Sequence, residues 1–345
     1  MKKNIIKLIR DKLILNKIDG YIIPKNDQYF SEYAVEDRLK IATNFNGSSG
    51  LAIILKNKNY LFVDGRYTIQ AHQQSGKNFK IIEIHKFLPH KIIKNLNLGF
   101  DPNLFTDKQL ILYFKDSLKL IPIEKNFIDE IYKKKIRNNK PFFSISKKVA
   151  GASHKFKVNK ISKFLVSKKA DYLFISSPEN VAWILNIRGY DNPNSPIPNC
   201  RLIINKNKKI YLISEKKKAI NLIKDKKIKL KNIISPLKFN NFIKNLKKGS
   251  FVIDSLSCSI LNRQIIQSKF EIISREDPCY KLKSIKNSSE IKNMIKAHDE
   301  DGLALTKFIH WIKKINKKKI SEIDAVNKLE KFRKINKNYL YPSFN

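Results

Sequence analysis

The chain has 345 residues, enough for two domains of ordinary size and a remainder. Its apolar fraction of 42%, with 21 Phe and 13 Tyr, supplies real cores and excludes a disordered chain. The formal net charge of +40 invites a nucleic-acid or membrane-surface partner, but Arg supplies only nine of the 70 basic residues and the lysines are scattered everywhere, so a solvated lysine coat without specific nucleic-acid binding is expected.

The N-terminal segment reads as an amphipathic helix over 3–18, because Lys7, Arg10, Asp11 and Lys12 interrupt what would otherwise be a signal-peptide core. A strand at 20–24 and a loop of little periodicity over 25–49 follow. The hairpin 51–63 is the clearest local feature, two apolar runs around a Lys-Asn turn. Beyond it come a helix at 66–75, a strand at 79–85, a helix at 86–95 and a strand at 98–101. Thr106 caps a helix to 116, and a strand at 118–123 closes the unit.

The same order then recurs. Asp171 to Ser176 answers Asp19 to Pro24, and the hairpin 201–213 answers 51–63. Around them lie helices at 158–167, 216–223, 239–246 and 257–267, and strands at 229–234, 251–254 and 270–274. Nine elements find partners, which implies two copies of one α/β domain, each a mixed sheet flanked by helices. The basic, Pro-containing stretch 133–143 suits a linker, giving expected domains at 1–135 and 141–285.

Residues 286–345 do not fit the repeat. Asn287 with Glu290 caps a long helix whose apolar stripe runs through Ile291, Met294, Ile295, His298, Leu305, Phe308, Ile309 and Ile312. A second helix starts at Ser321 with Asp324. Both apolar faces are expected to be buried, with His298 packed and hydrogen-bonded in a core.

Chemistry-bearing patterns are few. There is no G-x-G-x-x-G, P-loop, H-E-x-x-H or C-x-x-C. Cys200, Cys258 and Cys279 form no disulfide or zinc spacing, which points to a reducing, cytoplasmic compartment, and no apolar run is long enough to span a membrane. Ser144 to Lys147 matches S-x-x-K without its companion motifs, and Gly47 to Gly50 reads as a structural turn. Asp64-Gly-Arg66-Tyr67 sits where a strand meets a helix, and a comparable exposed arginine stands at Arg188, after Trp183. These arginines either brace their loops or line a domain or subunit cleft.

Taken together, Ser31-Glu-Tyr33, Arg38, Phe45 to Gly50, Asp64 to Tyr67, Ala182 to Gly189, Lys286-Asn287, Glu290-Ile291, Ala297 and Trp311 resemble the long three-domain Xaa-Pro aminopeptidases. Ser321 to Ile323, Glu330, Phe332-Arg333 and Ser343-Phe344 continue the resemblance. It implies two tandem creatinase N-terminal-like domains and the first helices of an incomplete pita-bread peptidase domain at 286–345. The family removes the N-terminal residue preceding proline with two divalent metals, usually manganese, and the intact member is expected to be a homodimer. Its metal ligands, two Asp, one His and two Glu, lie downstream of the segment matching Ser343-Phe344. This chain is therefore expected to carry no catalytic or metal-binding residue, to be a truncated N-terminal portion, and to be inactive alone. Arg38, Asp64, Arg66, Tyr67, Trp183 and Arg188 are the candidate cleft or interface residues. A non-catalytic scaffold with helices 287–335 docked on the second domain is the alternative, and a basic nucleic-acid binder a further one.

Overall fold

The computed structural model describes residues 4–31, 34–115, 118–133 and 139–344. Fourteen strands are present among them: β1 Gly20–Pro24, β2 Gly50–Leu55, β3 Asn59–Val63, β4 Lys80–Glu83, β5 Asn97–Phe100, β6 Lys119–Pro122, β7 Phe143–Ser144, β8 Tyr172–Ile175, β9 Ile187–Arg188, β10 Arg201–Asn205, β11 Ile210–Ile213, β12 Ile233–Ile234, β13 Ser250–Ile253 and β14 Glu271–Ser274. They build two six-stranded sheets, ordered β4-β3-β2-β1-β5-β6 and β12-β11-β10-β8-β13-β14, with β7 and β9 forming a small separate ribbon.

The two orders are the same order. In each sheet one strand, β2 or β10, runs antiparallel to both neighbours, and the remaining pairings are parallel. A short turn can join only antiparallel strands, so each hairpin, β2-β3 or β10-β11, contains one strand reversed against the rest.

The central strands β1 and β8 are buried along their whole length, as GYIIP and YLFI require when helices cover both faces. Alternation then sorts their side chains. Tyr21 and Ile23 join Ile9 and Leu13 of the helix Ile5–Leu15 and Phe127 of the helix Phe127–Ile131, whereas Ile22 points to Leu110 and Phe114 on the other face. In the second copy Leu173 and Ile175 meet Ile161 and Leu165, and Tyr172 and Phe174 meet Phe239 and Ile243.

Several local expectations are corrected. The stretch 25–49 contains the helix Arg38–Thr43, capped by Asp37. The helix expected at 86–95 shrinks to Pro89–Ile92, and the strand expected at 229–234 to Ile233–Ile234, because a 3-10 turn takes Leu230–Asn232. Four further helices appear: Phe127–Ile131, Lys147–Ala150, Pro178–Leu185 and Pro278–Ser284. Part of the linker, 134–138, lies outside the described residues, as do Glu32, Tyr33 and Asp116.

Residues 288–333 form a two-helix arm, Ser288–Lys314 and Glu322–Arg333, each opened by the expected capping box. Arg333 clamps Asp301 through Nε (2.6 Å) and Nη2 (3.0 Å), holding the helices side by side. The arm meets the second domain at its root: Asn287 Nδ2 donates to Ala150 O (3.0 Å) and Asn293 Nδ2 to Val149 O (3.0 Å). Gly151 supplies the left-handed turn there (φ +69°), and a Cβ on it would lie 2.0 Å from Asn287 Oδ1. The expectation of a buried stripe is not met: Ile291, Met294, Ile295, Leu305 and Ile309 are all exposed, and Ala304 is the one buried residue of the long helix. His298 is likewise exposed, bonded through Nδ1 to Met294 O (2.9 Å), and not a core residue.

Candidate functional site

The six candidate residues fall in three places. Arg38 is buried inside the first domain, where Nε and Nη2 grip both oxygens of Asp129 (2.8 and 2.9 Å) and Nη2 reaches Glu36 (3.3 Å). It ties the helix Arg38–Thr43 to the helix Phe127–Ile131. Burial penalises the charge most, but hydrogen bonding to Asp129 together with the negative charges of Asp129, Glu36 and Asp101 outweighs it, and the guanidinium pKa is raised.

Asp64, Arg66 and Tyr67 stand where β3 ends. The Asp64 carboxylate accepts from the Arg66 amide (3.0 Å), Arg66 Nε (2.9 Å) and His85 Nε2 (3.2 Å). These bonds, the Arg66 side chain first, hold the carboxyl well below its usual range. Tyr67 bonds Ser48 through its hydroxyl (2.8 Å) and packs edge-on against Phe45.

Trp183 and Arg188 belong to the second domain, around the end of the helix Pro178–Leu185. That helix stops at Asn186 in the left-handed conformation (φ 50°), leaving carbonyls for cations to cap. Lys157 Nζ donates to Trp183 O (2.9 Å) and Asn186 Oδ1 (2.7 Å) and lies 4.3 Å from the indole centroid. Lys227 Nζ takes Leu185 O (3.0 Å) and Asn186 O (2.7 Å). Burial pushes Lys157 down to about 8 and lowers Arg188 and Lys227 as well. Arg188 is half-buried rather than exposed, and donates to Ile187 O (2.9 Å). The convergence of cations is explained by the helix terminus they neutralise.

A further group sits between the domains. Asp27 accepts the amides of Tyr29 (2.8 Å) and Ser31 (3.0 Å), folding a loop in which Phe30 takes a positive φ of 58°. Arg201, at the start of β10, crosses to that loop: Nη2 donates to Gln28 O (2.6 Å) and the guanidinium lies 4.6 Å from the Tyr29 ring centroid. Ser31 Oγ meets Asn192 Oδ1 (2.7 Å), and a cavity of about 220 Å³ opens beside them. The amides of Ile260 and Leu261 bond Phe105 O (2.9 Å) and Pro102 O (3.0 Å), and Arg263 pairs with Asp107. Sequence reasoning passed over Arg201 and Lys157. Rarity was the signal for Arg201, one of nine arginines in a lysine-writing chain, whereas nothing distinguished Lys157 from other lysines.

The patterns set aside earlier are structural: Ser146 caps the helix Lys147–Ala150, and Ser144 bonds Asp225. The three cysteines are free and buried, with burial pushing the Cys258 thiol up to about 12. Among the described residues no group of three or more His, Cys, Asp and Glu is placed to hold a metal, so they do not fit a dinuclear centre. No described helix is long and apolar enough to cross a membrane.

Comparison with known proteins gives this geometry a context. Residues 6–129 and 133–290 match two models, each described as the Creatinase/Prolidase N-terminal domain. The probable Xaa-Pro aminopeptidase P of Coprinopsis cinerea is 27% identical over 94% of this chain and 57% of its own length. The Xaa-Pro aminopeptidase ApepP of Drosophila melanogaster is 28% identical over 95% of this chain and 57% of its own length. The X-prolyl aminopeptidase of Caenorhabditis elegans, a cytosolic enzyme with a di-nuclear active site, shares the fold with a TM-score of 0.87 at 22% identity, over 100% of this chain and 62% of that one. The chain thus spans less than two thirds of the relatives it matches. It belongs to the creatinase/prolidase family, with two N-terminal domains of that family in tandem, and its homologues are Xaa-Pro aminopeptidases.

Proposed function

We propose that these 345 residues serve as the N-terminal portion of an Xaa-Pro aminopeptidase, which removes the residue preceding proline from a peptide. The observation that carries this is chain-long homology: relatives bearing that name align over 94 to 97% of the chain, through both domains and into the arm. The arm adds support, since it turns Ile291, Ile295 and Ile309 to solvent where further chain could cover them. In this reading 1–135 and 141–285 are the two non-catalytic domains and 286–345 opens the peptidase domain. Asp64, Arg66, Tyr67, Trp183 and Arg188 are cleft or subunit-edge residues, with Arg38 bracing the domain behind them. The two divalent metals, manganese in this proposal, are held in the whole enzyme by residues outside these 345, and the chain alone is inactive. A homodimer and a cytoplasmic location complete the proposal, the latter supported by three free, buried cysteines.

The test is release of the first residue from an Xaa-Pro peptide with added manganese. The chain alone is expected to give none; mixed with the separately expressed remainder of a relative, it is expected to form a complex and restore turnover. Metal-dependent release by the chain alone overturns the inactivity, and failure to form the complex overturns the reading as a portion. The scaffold alternative needs the arm laid against the second domain, and the arm instead touches it at the root.

A further inference from the structure

The duplicated sheets permit a comparison of equivalent corners. Val63 pairs with Gly50, the first residue of β2, as Ile213 pairs with Arg201, the first residue of β10. Across the next ladder Val63 faces Glu83 and Ile213 faces Ile234. Asp64 therefore corresponds to Ser214, and Arg66 to Lys216.

In the first domain this corner contains its own anion, since Asp64 receives both Arg66 and His85. In the second the carboxylate is gone. Ser214 is buried, and a groove of about 570 Å³ opens at the next residues, Glu215 to Lys217. Ile233, Ile234 and Phe242 form its apolar lining, and Lys216, Lys217 and Lys238 stand around it. None of these three ammonium groups has a hydrogen bond or ion pair among the described residues. Glu215, the one acid in the lining, leaves a net positive site.

A lysine on a convex surface is simply solvated. Three beside an apolar concavity are different, because low-dielectric walls concentrate their field and give a ligand's apolar part somewhere to go. We propose that this groove binds an acidic peptide segment, with a carboxylate on the lysines and an adjacent apolar side chain on Ile233, Ile234 and Phe242. The lining favours a peptide over a nucleic acid. It offers aliphatic side chains, and its one ring, Phe242, already packs on Tyr211 at 4.9 Å, which leaves no free platform for stacked bases.

The experiment is fluorescence anisotropy with labelled Asp-Leu-Asp-Phe-Asp at about 150 mM salt, where distant charges are screened. Replacing Lys216, Lys217 and Lys238 together by Glu should weaken binding at least about tenfold. Asn245→Trp, which fills the groove without changing charge, should do the same. A control with the exposed Lys7, Lys163 and Lys168 replaced by Glu carries the same charge change and should bind as before. Equal weakening by the control overturns the proposal in favour of the general coat. So does equal binding of Asp-Gly-Asp-Gly-Asp, or tighter binding of a single-stranded oligonucleotide that displaces the peptide. Circular dichroism checks folding of each variant, and if the triple variant fails to fold, Asn245→Trp decides the matter.

Discussion

Asp171 does in the second domain what Asp19 does in the first. Each accepts the amide that opens the neighbouring parallel strand, from Ser250 and Asn97 respectively (both 3.0 Å), and each pairs with the lysine across the hairpin, Lys206 and Lys56 (both 2.7 Å). The lysine hydrogen bond is the largest reason both carboxyls lie below their ordinary 3.8. A depressed folded pKa adds stability above the unfolded value and loses it as pH falls through the folded one. Asp171→Asn should therefore cost on the order of 1 kcal/mol at pH 7, discounted for partial exposure, and should flatten the stability loss below pH 4. Urea unfolding of both proteins between pH 3 and pH 7 checks it.

The Arg38–Asp129 fork is largely buried on the arginine side. Removing one partner of such a pair leaves an uncompensated charge, so Arg38→Ala should destabilise the protein by about 3 kcal/mol. Adding Asp129→Ala should recover part of that loss. Equal costs for the single and double variants, measured by chemical denaturation, would remove the bracing role.

Arg201 is the side chain that reaches from β10 into the loop of the other domain. Its replacement by Ala should cost about 1–2 kcal/mol of coupling between the domains. Calorimetry should then resolve two transitions where the parent shows more closely merged ones.

Lys157 has a depressed pKa like the carboxylates, but in the alkaline range and through burial rather than pairing. Its ammonium is depressed from 10.5 to about 8 by burial, so the unfolded chain holds the proton more tightly than the folded one. Stability should rise as pH climbs from about 8 towards 10.5, and Lys157→Met should reduce that rise, leaving the part due to Lys227. The same variant uncaps Trp183 O, so it should be less stable at pH 7, where the lysine is charged and bonded.

Gly151→Ala tests the root of the arm. The left-handed φ alone costs about 1–2 kcal/mol, and the new Cβ collides with the Asn287 side chain that starts the long helix. Hydrogen exchange of the amides at 288–293 should accelerate, while that of β8 stays slow.

The duplication was legible because its strongest signals are local. A turn between two apolar runs marks each hairpin, and side-chain caps mark Thr106, Asn287 and Ser321. The helices that escaped notice were short, and two of them begin with proline after a Ser or Asp at the N-cap position, Ser177-Pro178 and Asp277-Pro278, a start signal the sequence does contain. The stretch 229–234 misled because Lys229, Leu230 and Lys231 alternate polar and apolar ahead of Ile233 and Ile234, whereas Leu230 faces solvent in a 3-10 turn. The arm was read correctly as two capped helices and wrongly as buried, because periodicity reports an apolar face and says nothing of what covers it. For the candidate residues the sequence located Asp64 with Arg66, but Arg201's partners lie some 170 positions away and no local pattern could supply them. With lysine written almost everywhere, the surviving arginines are the better guide: Arg10, Arg38, Arg263 and Arg333 each make a fork-shaped or paired contact.

The reversed strand in each sheet also sets an order of assembly. β2 and β3, like β10 and β11, are joined by a few residues, so their closure costs little chain entropy and can come early. The parallel pairing of β1 with β5 must instead wait until Gly20 and Leu98 meet across an intervening hairpin and helices. During synthesis the first hairpin is complete before β5 exists, and the second repeats that history from its own starting point. Each copy thus carries its own nucleus, which lets the chain fold twice in succession instead of once over its whole length.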